Sequence, residues 1–206
     1  MKKNSRITLL LVLLPFMGFS QKTDSTNNKW VVHALALFNI IPNYFFVTPV
    51  VNVDKNEIHL ESRYNYEDLK TISFFGGYNF IGGNKFQYII TPILGVALGN
   101  TDGIAPGLKI DLNWKRFRFY SEMEYLFNIN DKASSFYFNW SEISYSPKDW
   151  FWVGVTAQRT RIYANNVEIQ RGFVAGLRRK NVYAAGYLLN PFTENTIGIV
   201  GLGIIF

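Results

Sequence analysis

Charged and polar side chains recur at every second position in several stretches of the chain. The clearest stretch is Ile58 to Glu67, where one parity is occupied by His59, Glu61, Arg63, Asn65 and Glu67. Because successive side chains of a β-strand point to opposite faces, this spacing predicts a strand with one charged face and one apolar face. Acids and bases are mixed on the charged face, so its chemistry is that of ion pairs or of a site for polar solutes.

Other segments repeat this pattern, and we expect their charged faces to enclose one common interior. The predicted polar track consists of His59, Glu61, Arg63, Lys109, Asp111, Arg118, Glu122, Glu124, Gln158, Glu168 and Arg178. Two interpretations of this track remain open. Its charges either form a salt-bridge network that holds the protein together, or they line a narrow path for small solutes. Small residues expected to leave room in the last strands favour the path, namely Gly172, Gly176, Ala184, Gly186, Gly201 and Gly203.

Hydrolysis is the main catalytic alternative for these residues. It needs a serine, a histidine and an orienting polar group, and the only histidines of the chain are His33 and His59. On neighbouring strands His59, Ser73 and Glu61 can meet, but a structural histidine is the favoured interpretation. The sequence contains no metal-ligand spacing, phosphate loop or nucleotide fingerprint. We therefore predict no catalytic site, no metal and no cofactor.

The elements that carry these residues are predicted to be β-strands throughout. Apolar and polar residues alternate in segments of about ten residues between turn signals, as in a barrel whose outer face meets lipid. We predict an all-β fold, a single transmembrane antiparallel up-and-down β-barrel of about twelve strands, or about ten if residues 30–53 form no hairpin. Tight turns alternate with longer loops. Two local predictions are a bulge near Ser141 and a lipid-facing row of Tyr183, Ala185, Tyr187 and Leu189.

The N-terminal segment is typical of an exported protein. A basic start is followed by an apolar run that ends at Phe19, and small residues flank a cleavage site after Ser20. We predict a signal peptide at 1–20, a flexible lead-in at 21–29 and the outer-membrane barrel at 30–206. Without Lys2, Lys3 and Arg6, the 21 basic residues fall to 18 against 15 acidic ones (21 − 3 = 18). This balance gives no reason to expect nucleic acid as a partner.

The last eleven residues, Thr196 to Phe206, alternate between an almost wholly apolar parity and a smaller, glycine-rich parity, and they end on Phe206. This stretch resembles the C-terminal sorting strand of Gram-negative outer-membrane β-barrels. The resemblance implies an outer-membrane location and contact with the barrel-assembly machinery during insertion. Length and strand number are also similar to those of small twelve-stranded channels for acidic sugars. Those channels have a strongly basic lumen, whereas acids slightly outnumber bases here, so their anion selectivity is not carried over.

Three arginines interrupt the expected lipid-facing side of one hairpin. Arg159, Arg161 and Arg171 share the parity of Val153, Val155 and Phe173 near the extracellular end. Like charges on paired strands repel each other, and nothing acidic shares that face. One interpretation is a lipid-binding site in which lipopolysaccharide phosphates accept charge-assisted hydrogen bonds. The other is that the three side chains extend to water above the membrane.

These patterns together predict a bacterial outer-membrane β-barrel, and the favoured function is a narrow channel for small polar solutes. The second hypothesis is a non-conducting barrel that binds lipid or acts as an accessory subunit of an outer-membrane complex. The third is a lipid-modifying enzyme. The expected partners are outer-membrane lipids, including lipopolysaccharide, and the barrel-assembly machinery.

Overall fold

The computed structural model describes residues 29–160 and 169–206 of the chain. The predicted signal peptide, nearly all of the lead-in, Arg161 and Glu168 lie outside the described residues. The strands are β1 (Val31–Ile41), β2 (Tyr44–Lys55), β3 (Ile58–Tyr64), β4 (Thr71–Tyr78), β5 (Phe80–Gly82), β6 (Phe86–Gly99), β7 (Gly103–Trp114), β8 (Phe117–Asn128), β9 (Phe136–Lys148), β10 (Phe151–Arg159), β11 (Gln170–Arg179), β12 (Val182–Leu189) and β13 (Ile197–Ile205). A single 3₁₀ turn, Lys132–Ser134, precedes β9. No helix among the described residues is long and apolar enough to cross a membrane.

The strands form one closed antiparallel barrel. Strands that are consecutive in the chain pair with each other, except that β4 pairs with β6 and not with β5. β1 pairs with β13, with His33 opposite Ile205. β5 continues β4 beyond Asn79 and pairs with the lower part of β6, so the thirteen segments make a barrel of twelve strands. The predicted all-β barrel is confirmed. β1 and β2 do form a hairpin, which decides for twelve strands rather than ten.

Burial alternates along the strands as the sequence pattern predicts. In β3 the charged residues His59, Glu61 and Arg63 are inside, and the apolar residues Ile58 and Leu60 are exposed on the outer wall. This arrangement leaves apolar side chains at the surface that lipid would cover. The barrel wall therefore separates an apolar outside from an inside that contains buried charged and polar side chains.

Connections differ between the two ends of the barrel, as the alternating loop lengths predict. At the end that we call the lower rim, β2–β3, β7–β8 and β11–β12 are joined by two-residue turns, and Asn56, Lys115 and Lys180 there adopt left-handed backbone angles. This geometry matches the twist of tight hairpins. At the upper rim the connections at 65–70, 129–135 and 190–196 are longer. Both ends of the described barrel, Val31 and Ile205, lie at the lower rim.

Two local predictions are wrong. The register between β8 and β9 runs unbroken from Phe117 opposite Tyr145 to Leu126 opposite Phe136, so no bulge lies at Ser141. The register shift occurs instead between Phe151 and Val153 of β10. Inward and outward side chains therefore alternate without a break along β9. Its aromatic residues, which hydrophobicity would assign to the lipid face, point into the barrel, as the burial of Phe138 shows.

The second error concerns β12. Ala185 and Leu189 are buried inside the barrel, and the side chain of Tyr187 packs against the interior cluster that contains Leu189. Leu188 and Gly186 are exposed on the outer wall. Because the interior is apolar beside β12, the more hydrophobic face of this strand points inward, opposite to the prediction.

Candidate functional site: a charge cluster inside the barrel

Arg63 lies at the centre of a buried group of charges and is only 1% exposed. Its guanidinium nitrogens contact Glu61 at 2.8 Å, Glu67 at 3.0 Å, Glu122 at 2.8 Å and Glu124 at 3.1 Å. The rings of Tyr66 and Phe75 lie over the guanidinium carbon, with centroids at 4.4 and 4.3 Å. Arginine suits this position because its planar fork presents five N–H donors to several carboxylates at once.

A second cation completes what we call the Arg63 cluster, which consists of Glu61, Arg63, Glu67, Lys109, Glu122 and Glu124. The Lys109 ammonium lies 2.7 Å from Glu61 and 3.8 Å from Glu122. The cluster joins β3 and the loop after it to β7 and β8, so it reaches across one side of the interior. Buried ion pairs of this kind are satisfied only when each charge keeps its partners.

The Arg63 cluster holds more acid than base. Four carboxylates face two cations, which leaves a formal charge of −2 when all groups are ionised (2 − 4 = −2). Glu122 Oε1 and Glu124 Oε1 have no hydrogen-bond partner among the described residues, although the former lies in ionic contact with Arg63. Burial raises the pKa of the Glu67 carboxyl in the loop after β3.

Strand register explains why these side chains meet. Arg63 lies opposite Ser73 of β4, and Lys109 lies opposite Glu122 of β8. The Ser73 hydroxyl donates to Glu67 at 2.7 Å and so holds the loop carboxylate over Arg63. Glu67 shares the parity of Arg63 in the sequence but is not among the predicted track residues. In the structure β3 ends at Tyr64, and Glu67 reaches Arg63 from the loop that follows.

His59 connects charges rather than activating a serine. Its Nδ1 lies 2.8 Å from Asp54 and its Nε2 lies 3.3 Å from Glu61. Ser73 is opposite Arg63, whereas His59 is opposite Gly77, so the hydroxyl is four residues, about 13 Å, further along the wall. The arrangement weighed for hydrolysis does not form, and His59 extends the Arg63 cluster toward Asp54.

The remaining track residues that the structure describes occupy different levels of the interior. Arg118 binds Asp111 with two nearly parallel hydrogen bonds of 3.0 and 2.7 Å, and their side chains are 45% and 23% exposed. Arg178 is exposed at the lower rim. Gln158 is 3% exposed in the upper half, and its Nε2 has no partner among the described residues. The structure therefore brings six track residues to the Arg63 cluster or its edge and leaves the other described ones apart.

The upper half of the interior is closely packed. One apolar cluster contains Phe75, Ile93, Ala97, Ala105 and Leu126, and a second contains Leu189, Ile197 and Ile199. Leu37 and Trp140 pack against the second cluster. In contrast, the lower half contains the partly exposed Asp111 and Arg118. Among the described residues, charged side chains of the interior are therefore more accessible to solvent near the lower rim than in the upper half.

The predicted free space beside the glycines is not present. A side chain at Gly176 would collide with the ring of Trp152, and one at Gly203 would collide with the ring of Tyr183. Aromatic rings from neighbouring strands lie against these positions and fill the space. Gly186 and Ala184 are paired with Val200 and Leu202 on the outer wall, so they do not line the interior. The prediction of an open glycine-lined side is therefore wrong.

Two of the three predicted lipid-binding arginines are described, and both lie at the outer wall. Arg159 places its guanidinium 5.6 Å from the ring centroid of Tyr137. Arg171 is exposed and is paired across strands with Ala157. Within the described residues neither forms an ion pair with a carboxylate.

Solved structures with the same architecture are porins. The KdgM porin aligns with a TM-score of 0.59 at 13% identity, covering 84% of this chain and 99% of that chain. A KdgM porin in complex with disordered oligogalacturonate aligns with a TM-score of 0.60 at 13% identity over the same shares. The NanC porin aligns with a TM-score of 0.52 at 11% identity, covering 84% of this chain and 98% of that chain. No protein-family profile and no curated protein matches the sequence.

These likenesses establish the class of fold. The chain has the fold of the small twelve-stranded barrels to which KdgM and NanC belong. At 11–13% identity the similarity concerns architecture, so ligand preferences are considered separately.

Proposed function

We propose that this protein is a narrow channel for small polar solutes in the bacterial outer membrane. The observation that carries the proposal is a closed twelve-stranded barrel with an apolar outer wall and charged groups inside, similar over its length to porins. A barrel of this size leaves space between that of eight-stranded barrels, which side chains fill, and that of wide channels. The partly exposed Asp111 and Arg118 form the polar entrance from the lower rim.

The charge of the interior points to neutral or cationic solutes. An acidic polymer such as oligogalacturonate, which one KdgM structure contains, would meet four carboxylates and two cations in the Arg63 cluster. Like charges in a region of low dielectric repel strongly. We therefore propose that passage favours cations over anions, with Glu122 and Glu124 as the residues that set this preference.

A non-conducting barrel is the second candidate, and one observation favours it. Arg63 is 1% exposed, Gln158 3% and Leu189 0%, so the upper half of the interior offers little free passage in this conformation. Such a barrel would act through lipid or through a partner in an outer-membrane complex. A lipid-modifying enzyme has less support, because His59 is engaged by Asp54 and Glu61 rather than by a serine.

Planar-bilayer recordings test the proposal. We expect purified barrel to give discrete conductance steps with a preference for cations, and we expect Glu122→Gln with Glu124→Gln to shift that preference toward anions. Glu194→Gln, in the loop between β12 and β13, is the matched control because it removes a carboxylate outside the barrel interior. Bilayers that stay silent although the barrel is inserted would support the non-conducting candidate.

A further inference from the structure

A long groove runs down the outer wall over β11, β12 and β13. It consists of two adjoining cavities of about 550 and 940 Å³. Ala175, Gly186 and Val200 line the upper cavity, and Leu177, Ala184 and Leu202 line the lower one. The three residues of each set lie opposite one another on β11, β12 and β13. The two sets occupy successive outward-facing positions of these strands. The cavities are therefore parts of one groove.

The groove has the length of one lipid leaflet. From Phe173 at its top to Arg179 at its lower end, six residues of β11 extend about 20 Å. Strands of outer-membrane barrels tilt by roughly 40°, so the groove covers about 15 Å along the membrane normal. This is half of the hydrocarbon thickness of a bilayer, about 30 Å.

The groove is open and can accept an apolar chain. A Cβ atom placed on Gly186 would have no neighbour within 4 Å, so the centre of the groove is free space. The bordering side chains of Phe173 and Leu188 are 56% and 44% exposed. These surfaces bury apolar area when an acyl chain lies between them.

The lower end of the groove is basic. Arg178, Arg179 and Lys180 line the lower cavity together with Trp150. All four are exposed, and among the described residues none of the three cations forms an ion pair with a carboxylate. An indole beside cations is typical of the membrane interface, where side chains meet lipid headgroups.

We propose that this groove binds an anionic phospholipid of the periplasmic leaflet. Its phosphate accepts hydrogen bonds from Arg179 and Lys180, and one acyl chain lies along Ala184 and Gly186. The proposal rests on the outer-membrane placement given under the proposed function. Outer-membrane barrels have their short turns on the periplasmic side, so this placement puts the lower rim, with its two-residue turns, at the periplasmic surface. A second copy of the chain is a poorer occupant, since a two-fold contact through this wall brings the two basic rims together.

Native mass spectrometry of the detergent-solubilised barrel, with phosphatidylglycerol or phosphatidylcholine added, tests the site. We expect wild type to retain one phosphatidylglycerol more tightly than phosphatidylcholine. Removing both cations in Arg179→Gln with Lys180→Gln should weaken phosphatidylglycerol binding about ten- to a hundredfold, because charge-assisted hydrogen bonds are lost. Gly186→Leu fills the groove without changing charge, and it should weaken both lipids.

Lys70→Gln with Lys132→Gln is the matched control, because it removes two exposed cations from the connections at the opposite rim. This control should bind phosphatidylglycerol as wild type does. Unchanged binding in the Arg179 and Lys180 double variant would overturn the site, as would dimers of wild type that Gly186→Leu abolishes. A barrel that inserts and conducts but shows no preference for phosphatidylglycerol contradicts the lipid site alone. A chain that forms no heat-modifiable barrel contradicts the proposed function instead.

Discussion

Replacing Arg63 with Met should strongly destabilise the barrel. The substitution keeps an unbranched side chain but removes the cation that Glu61, Glu67, Glu122 and Glu124 share. Lys109 is then the only remaining cation of the Arg63 cluster, and it contacts only Glu61 and Glu122. Breaking one buried ion pair costs about 3–5 kcal/mol, because the remaining charge stays buried. We therefore expect a loss of at least that size in the free energy of unfolding.

The assay is urea unfolding of the barrel in lipid vesicles, followed by tryptophan fluorescence. Arg118→Gln is the control, because Arg118 pairs with a single acid, Asp111, and its side chain is 45% exposed. A partly exposed pair of this kind is worth about 1 kcal/mol or less. Adding Glu122→Gln and Glu124→Gln to Arg63→Met should recover most of the loss, since two surplus charges disappear. A cost for Arg63→Met no larger than that of Arg118→Gln would refute the view that the cluster is dry and tightly coupled.

Two further predictions concern the ends of the barrel. Deleting Phe206 should lower the amount of heat-modifiable barrel in outer-membrane fractions, because the terminal strand would lose the residue that resembles the end of a sorting signal. An unchanged amount of inserted barrel would count against a sorting role for Phe206. Arg159→Gln with Arg171→Gln should reduce the stabilisation by added lipopolysaccharide, with about 1.5–3 kcal/mol for each charge-assisted bond, and should have little effect in plain detergent. An equal stabilisation of wild type and variant in thermal melts would mean that the two arginines only meet water.

Periodicity predicted the wall of the barrel well. Where one parity is charged and the other apolar, as at His59, Glu61 and Arg63, only one orientation leaves the charges out of lipid, so the sequence decides the face. The predicted strand number followed from the same alternation and from the turn residues between segments. The proximity of Lys109 to Glu61 needs the curvature of the wall, because the two residues lie on strands separated by β4 and β6.

Periodicity failed where both parities are apolar or small. In β12, Tyr187 and Leu189 are more hydrophobic than Gly186, so they looked lipid-facing, yet they complete an interior cluster with Ile197 and Ile199. In β9 the same ambiguity suggested a bulge that does not exist. The free energy of burial is similar in lipid and in an apolar interior, so hydrophobicity cannot separate the two environments. The prediction of free space beside the glycines failed for a related reason. Aromatic rings of neighbouring strands, such as that of Trp152 beside Gly176, occupy the space that the glycines leave.

The Arg63 cluster also bears on how the barrel assembles. All six of its residues come from the segment between Glu61 and Glu124, whereas the seam joins His33 to Ile205, which are 172 positions apart (205 − 33 = 172). Contacts between distant residues form slowly, because a long loop must be closed first. A curved sheet of β3 to β8 can therefore neutralise its charges before the seam forms. The remaining strands can then close around it, and among the described residues they add one buried charged side chain, Glu142.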